Sequence, residues 1–391
     1  MTLIHQLKSY SINALLVLLS VIAMLVVVEI ALRFTKYSSV LNREYSYPSR
    51  YFRADKILGY DIGRNIKDKI HRFHGCNYEV FSNKYGCFDY DREIPDKYTL
   101  VLGDSMTWGY TPLEKKWTSK LEEESGVFAL KCGVSGFGTA QELIKAKRVV
   151  DLVGKKPKYI IILYIGNDLN DDFMFPHRTV INGYLVNSIK HVDLVEGEKN
   201  YYSTDELNEK YKKYFEGTIS NKLRKLRYNM ITYMLYKTAK PQLKAVKKRI
   251  TRKLKTLWSN HNLIGGNFPN QDSKNAMPKS MTGAYSVSLM KYLDNYDLEW
   301  YNRAISEHKN NIKNLKEYSD SMGAKFILID NGFLQHPRFD DVRRHLGQSY
   351  YNLSDDYKKQ SKWKYDGHWN IEGNQQAGQH IYNHLKKIDF F

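Results

Sequence analysis

Four short motifs carry side chains that could share one reaction: GDS at 103–105, SGFGT at 135–139, GND at 166–168 and DGHWN at 366–370. A serine hydroxyl attacks an acyl carbon at neutral pH only when a base takes its proton, and His368 is the natural base for Ser105. Asp366 lies two residues earlier. In extended backbone residues i and i+2 project to the same side, which would let its carboxylate fix the imidazole tautomer. A turn at Gly136 and Gly138 can face backbone N–H groups toward an oxyanion, and the Asn167 amide can donate to the same oxygen. Each motif alone has an ordinary alternative: Ser105 or Asn167 as a cap, the glycines as a connector, His368 in a surface turn. Together they supply different parts of one acyl-transfer site.

The elements that must position them alternate. Strands are expected at Thr99 to Leu102, Val127 to Cys132, Lys158 to Ile165 and Ala324 to Asp330. Helices are expected at Trp117 to Glu124, Thr139 to Val153 and Glu299 to Met322. A last helix, capped by Asn370, places Ala377, Ile381 and Leu385 on one face. KYIIILYI, at 158–165, is nearly continuous and β-branched, as in a parallel strand buried on both faces. This alternation predicts a doubly wound α/β sandwich, in which ligands bind beyond the carboxyl ends of the strands. Ser105, Gly136 and Asn167 each follow one of the first three strands.

With these motifs in this order, the chain resembles the GDSL/SGNH hydrolase superfamily over roughly Tyr98 to Leu385, apart from a basic insertion. The resemblance implies a three-layer α/β/α sandwich with a mostly parallel, flavodoxin-like sheet, and serine-dependent ester hydrolysis or acyl transfer. Ser105 would be the nucleophile, His368 the base and then the acid, and Asp366 the orienting carboxylate. The N–H groups of Ser105 and Gly136 and the Asn167 amide would form the oxyanion hole. Met106 stands where the GDSL motif has leucine. The usual acid lies three residues before the histidine, where this chain has Tyr365; Asp366, at two, is similar to the D-x-H-W arrangement of alginate O-acetyltransferases in the same superfamily.

No G-x-S-x-G elbow is present, because Thr107 occupies the last glycine's place. Asp168, Asn170 and Asp172 open like a calcium loop, but Phe173 fills the required glycine position and no distal glutamate follows. Neither a metal nor a cofactor is therefore expected. The three cysteines lack C-x-x-C spacing; a Cys76–Cys87 bridge and two inert thiols are equally compatible with the spacing, and Cys132 is expected at a buried strand end.

An apolar run from Ile12 to Leu32 is long enough to cross a membrane as a helix, too long for a signal-peptide core, and lacks a following A-x-A site. Residues 1–35 thus read as a single transmembrane anchor, with Glu29 near its end beside Arg33. Lys8 precedes the span while Arg33, Lys36 and Arg43 follow it, which taken literally holds the main domain inside; a short tail and a large following domain outweigh so small a bias, and the domain is expected on the extracytoplasmic side. Residues 36–95 read as a Tyr-rich juxtamembrane arm, and 96–391 as the α/β domain with a helical insertion at about 175–298. That insertion is strongly basic, interrupted at Pro241, and amphipathic through Ile231 and Ile250, which suits packing on the domain or an anionic membrane surface.

The net charge of +18 favours anionic partners. Nucleic acid has only that charge in its favour, without a recognised binding motif. The expected activity is an ester hydrolase acting on O-acyl, chiefly O-acetyl, groups of a cell-envelope carbohydrate. A carbohydrate O-acyltransferase using the same site is the alternative, and a non-catalytic carbohydrate-binding or assembly protein is a third reading.

Overall fold

The computed structural model describes residues 2–34, 45–74, 76–215, 230, 280–281, 288–294, 297–363 and 366–391. Most of the basic stretch, with Ile231, Pro241 and Ile250, lies outside the described residues, as does Tyr365. Two compact units are present: Met1–Tyr45 with Phe73–Gly75 and Lys212–Pro269, and Ser46–Arg72 with Cys76–Tyr211 and Asn270–Phe391.

In the first unit, helix α1 (Thr2–Arg33) contains Asn13–Arg33, 21 residues of mean hydropathy 3.0, long and apolar enough to cross a membrane. The carboxylate that interrupts this run is met within the helix: Arg33 lies 3.5 Å from Glu29, one turn earlier.

The second unit begins with a hairpin, β1 (Phe52–Asp55) and β2 (Gly59–Ile62), whose antiparallel register sets Arg53 opposite Asp61 and Ala54 opposite Tyr60. Alternation therefore sends Phe52, Tyr60 and Ile62 to one face, all buried, and Arg53, Asp55 and Asp61 to the other. The central sheet follows: β3 (Thr99–Gly103), β4 (Ala129–Lys131), β5 (Tyr159–Tyr164), β6 (Lys325–Asp330) and β7 (Tyr350–Asn352). Its order is β4-β3-β5-β6-β7 and every pairing is parallel. Within the sheet this is the 2-1-3-4-5 order of flavodoxin-like folds, with the switch point between β3 and β5.

Helices α2 (Ser105–Trp108), α3 (Trp117–Ser125), α4 (Thr139–Val153), α5 (Asp168–Met174), α6 (Glu299–Ser321) and α7 (Ile371–Lys387) belong to the same unit. The insertion expected to be helical from about 175 begins instead with four short strands, Arg178–Ile181, Tyr184–Asn187, Ile189–Asp193 and Lys199–Tyr201, before a helix at Thr204–Phe215. Strand residues alternate between two layers. Leu100, Ile160, Ile162 and Leu328 pack under α4 and α6, against Ala146, Val149, Ile305 and Ile312. Val101, Ile161, Leu163 and Ile327 pack under α3 and α7, against Trp117, Leu121, Ala377, Ile381 and Leu385. The result is a three-layer α/β/α sandwich. Each fully buried Leu or Ile contributes about 1.5–3 kcal/mol, so a strand apolar on both faces is the natural centre of such a stack.

The cysteine pairing differs from both sequence alternatives. Cys87 is bonded to Cys132, 45 residues away, and Cys76 is free. Nearness in sequence misled because Cys76 lies on a partly exposed strand, whereas Cys87 and Cys132 both enter the core, Cys132 at the end of β4.

Candidate active site

Strand β3 delivers Ser105 to the carboxyl edge of the sheet, and the helix cap there is its neighbour. Asp104 occupies the N-cap of α2 and accepts the Met106 N–H at 2.8 Å, so Ser105 is the first helical residue with its hydroxyl free of capping duty. Ser105 Oγ lies 2.8 Å from His368 Nε2. The other imidazole nitrogen, Nδ1, meets Asp366 Oδ1. A proton on Nδ1 facing that carboxylate leaves the Nε2 lone pair for the serine proton.

Asp366 reaches the ring through a turn rather than extended backbone. Its Oδ1 also accepts the His368 backbone N–H at 2.9 Å, its own N–H donates to Trp363 O at 3.1 Å, and Trp363 N–H donates to His368 O at 3.0 Å. Immediately after, Trp369 is buried and donates its indole N–H to Gln360, and Asn370 caps α7 by accepting Gly373 N–H at 2.8 Å. The Tyr110 ring packs edge-on against the imidazole, with centroids 4.3 Å apart.

The glycine turn is fixed from both ends. Gly136 has φ +80°, a conformation that favours glycine. Ser135, just before it, accepts at its carbonyl from Tyr60 OH at 2.7 Å, and its hydroxyl is 2.9 Å from Tyr110 OH. At Gly138 a Cβ would fall 2.4 Å from Asp172 Oδ1, so only glycine permits this approach. Asp172 in turn accepts Ala140 N–H at 2.9 Å and contacts His308 Nδ1 at 2.6 Å, tying α5 to α4 and α6.

Asn167 stands at the start of α5 without capping it through its side chain. Its amide donates to Asp104 Oδ2 at 3.1 Å and to Asp171 Oδ2 at 2.7 Å. Ser105 Oγ is 2.9 Å from that same Asp104 oxygen. Ser105, His368 and Asp366, with Asn167 linked through Asp104, therefore form one hydrogen-bonded chain. Beside Gly136, Ser135 reaches Tyr110, whose contact with His368 is ring packing. The Asn167 amide faces two carboxylates here, so donation to an oxyanion requires one of these bonds to be exchanged.

The floor of the site is acidic. Burial pushes the Asp104 carboxyl up, although hydrogen bonds from Met106 and Asn167 and the charge of His368 pull it down. Burial pushes Glu142 and Asp168 well above the usual carboxylate range, and each feels the charge of Asp104. The three residues once compared with a calcium loop point to separate backbone and side-chain partners: Asp168 accepts Ile165 N–H, Asn170 accepts Leu289 N–H, and Asp172 holds α4. Among the described residues no group of three or more His, Cys, Asp and Glu is arranged to hold a metal ion.

Sequence reasoning missed Asp104, Tyr110 and Phe333. The sequence alternative puts the α2 cap at Ser105, whereas the aspartate before it, an equally good N-cap type, takes that place. Tyr110 lies five residues beyond Ser105, and its contact with His368 is not announced by anything local. Phe333 follows β6, lies against Gly166 beside Asn167, and is 40% exposed.

No protein-family model matches the chain, and no curated protein matches it. Solved structures do. One is the psychrotrophic esterase EstA from Pseudoalteromonas sp., inhibited by monoethylphosphonate, at 10% identity and TM-score 0.33, covering 75% of this chain and 98% of that one. Another is a putative lipolytic protein of the G-D-S-L family from Desulfitobacterium hafniense DCB-2, at 12% identity and TM-score 0.26, covering 74% and 100%. The solved structures to which this chain is similar thus include an esterase and a G-D-S-L family protein.

Proposed function

We propose that the protein is a membrane-anchored SGNH-type ester hydrolase that removes O-acyl groups, O-acetyl above all, from a cell-envelope carbohydrate. The observation that carries this reading is the 2.8 Å contact between Ser105 Oγ and His368 Nε2, with Asp366 on the opposite ring nitrogen. His368 takes the hydroxyl proton as Ser105 Oγ bonds to the acyl carbon. The carbonyl oxygen becomes an oxyanion, held by the N–H groups of Ser105 and Gly136 and, after exchange of one hydrogen bond, by Asn167. His368 then gives the proton to the departing sugar oxygen, leaving an acyl-serine. Water, deprotonated by His368, attacks that ester and releases the acid with the serine restored.

A sugar hydroxyl in place of water makes the same site an O-acyltransferase. The placement of Asp366 two residues before His368, as in D-x-H-W sequences, favours this as the second reading. Carbohydrate as substrate rests on that likeness. The exposed Phe333 beside Asn167 supports it, since an aromatic face at the lip can pack against a sugar ring. A core disulfide supports an oxidising, extracytoplasmic location for the domain, with α1 as the anchor.

The test uses the full chain in detergent with an activated acetyl ester, followed by intact mass. An acetyl adduct absent from Ser105→Ala is expected, with turnover in water. Addition of candidate sugars then separates the readings: faster loss of the adduct with formation of an acetylated sugar replaces esterase by transferase. If neither adduct nor turnover appears across several esters, the non-catalytic binding reading takes over.

A further inference from the structure

Away from Ser105, a cleft of about 370 Å³ opens between the β1–β2 hairpin and α4. The hairpin's polar face supplies Arg53, Asp55 and Asp61, and α4 supplies the stripe that includes Lys145 and Arg148, three residues apart. Arg64 lines the cleft from the segment after β2. The opposite face of β2 is turned to the catalytic turn, where Tyr60 donates to Ser135 O.

The charges on the floor are already satisfied. Lys145 Nζ contacts Asp61 Oδ1 at 2.7 Å, Asp61 Oδ2 at 3.0 Å and Gly86 O at 2.9 Å, which occupies its three N–H groups. Arg148 grips Asp55 with two hydrogen bonds, at 2.6 and 3.1 Å. Arg53 and Arg64 are exposed, and among the described residues neither has a carboxylate within ion-pair distance. Asp61, which faces Arg53 across the hairpin, is taken by Lys145. Arg53 is also close enough to Lys145 to help press its ammonium down, adding to the effect of burial. Asp151 is the remaining lining carboxylate, against two guanidinium groups.

We propose that this cleft binds an oxyanion-bearing ligand, the carboxylate of an acidic sugar or a phosphate group, through the guanidinium groups of Arg53 and Arg64. A guanidinium presents a planar fork of donors that matches carboxylate and phosphate oxygens two at a time. Two such forks in a concave wall concentrate positive potential, and the neutralised floor beneath does not compete for them. A cation is repelled, and an uncharged sugar leaves both forks with water alone. The volume is at the lower end of small-molecule sites, which run from about 300 to 1,000 Å³.

The cleft is a position distinct from the serine. Lys145 lies seven residues along α4 from Gly138, about 10 Å at the helical rise. Binding there does not depend on the proposed reaction. If that reaction holds, an acidic unit of a polymer would rest in the cleft while another unit carries its ester to Ser105.

Calorimetry on the full chain in detergent tests this with three probes: trigalacturonate, inorganic phosphate and the neutral maltotriose. One-to-one binding of at least one anion is expected, weakened by added salt, with none for maltotriose. The anion that binds identifies the source of the oxyanion. Arg53→Gln/Arg64→Gln should weaken that binding tenfold or more with an unchanged melting temperature, and Ser105→Ala should leave it intact. Hydrolysis of a small activated acetyl ester by the double variant should match wild type, which separates failure of the cleft from failure of the catalytic reading. Should the double variant melt early, Arg64→Gln alone, at an exposed position, is expected to give a severalfold loss. Absence of anion binding, equal binding by the arginine variants, or loss of binding in Ser105→Ala would overturn the proposal.

Discussion

Helix α4 touches two polar regions that handle carboxylates in opposite ways. Toward the serine, Glu142 shares a buried space with Asp104 and Asp168, and burial pushes all three carboxyl groups up. Three residues further on, Lys145 and then Arg148 meet Asp61 and Asp55, and Asp55 is held down to about 2. The residue types are the same; what differs is whether a cation faces the acid. The paired region fastens a hairpin to a helix. The unpaired region lies beside Ser105 and Asn167, both hydrogen-bonded to Asp104, and clusters of shifted acids in such a place mark candidate functional sites.

The contrast is sharpest in what single substitutions should damage. Ser105→Ala removes a hydroxyl that holds no cap, so turnover should fall by roughly 10⁴-fold or more while stability changes by less than about 1 kcal/mol. Comparable losses in activity and stability would mean that Ser105 is structural after all; ester turnover and urea melts on one preparation decide it. Lys145→Met should do the reverse. It leaves Asp61 buried and unpaired, which costs about 3–5 kcal/mol, with ester turnover per folded molecule unchanged. Adding Asp61→Leu should recover much of that loss, and failure to do so would mean that the pair is not the hairpin's main fastening.

The sequence shows these two regions unequally. Continuous apolar runs made β5 legible, and α4 was expected at Thr139 to Val153, where it is found. Ser105, Gly136 and Asn167 could be placed at strand ends because parallel strands leave that edge for ligands. By contrast β7 has three residues, and β1 and β2 have four each with mixed polarity, too few for a period to emerge. Ion pairs such as Lys145 with Asp61 span 84 positions, and nothing local announces them. Asp104 was not singled out, either as the cap, which the sequence alternative puts at Ser105, or as the acceptor shared by Ser105 and Asn167, since the latter depends on how closely β3 and β5 stand. Asp366 faces His368, yet through a turn that the extended-backbone argument did not foresee.

On the unpaired side, Glu142→Gln tests the electrostatic half of the contrast. Neither Glu142 carboxyl oxygen has a hydrogen-bond partner among the described residues, and burial followed by the charges of Asp104, Asp172 and Asp171 raises its proton affinity. The folded state then retains a proton that the unfolded chain releases near pH 4.3. Stability from this group is full below that pH and is lost as pH rises toward the higher folded-state value. Glutamine cannot ionise, so the variant should gain on wild type between pH 5 and 8, with the gap closing toward pH 4. The gain is limited because a buried amide without partners carries its own penalty of about 1–3 kcal/mol. A gap independent of pH in melts across this range would show that Glu142 is not held protonated.

On the paired side, Arg148→Gln should give the smallest effect, with the opposite pH dependence. Burial works against the Asp55 carboxylate, but the Arg148 guanidinium and the N–H groups of Leu58 and Ile57 outweigh it and hold the group at about 2. A lowered folded-state value stabilises above the unfolded value near 3.9 and is lost as pH falls from there toward 2. The pair is partly open to water, with the Arg148 side chain 29% exposed, so screening limits the loss in Arg148→Gln to about 1 kcal/mol at pH 7. That difference should shrink between pH 4 and pH 3 in urea melts, although the two backbone N–H groups keep part of the shift in the variant. A difference that stays constant to pH 3 would mean that Arg148 contributes packing along its stem rather than charge. Paired and unpaired acids packed around one helix would then no longer differ in the way their pH dependences are expected to.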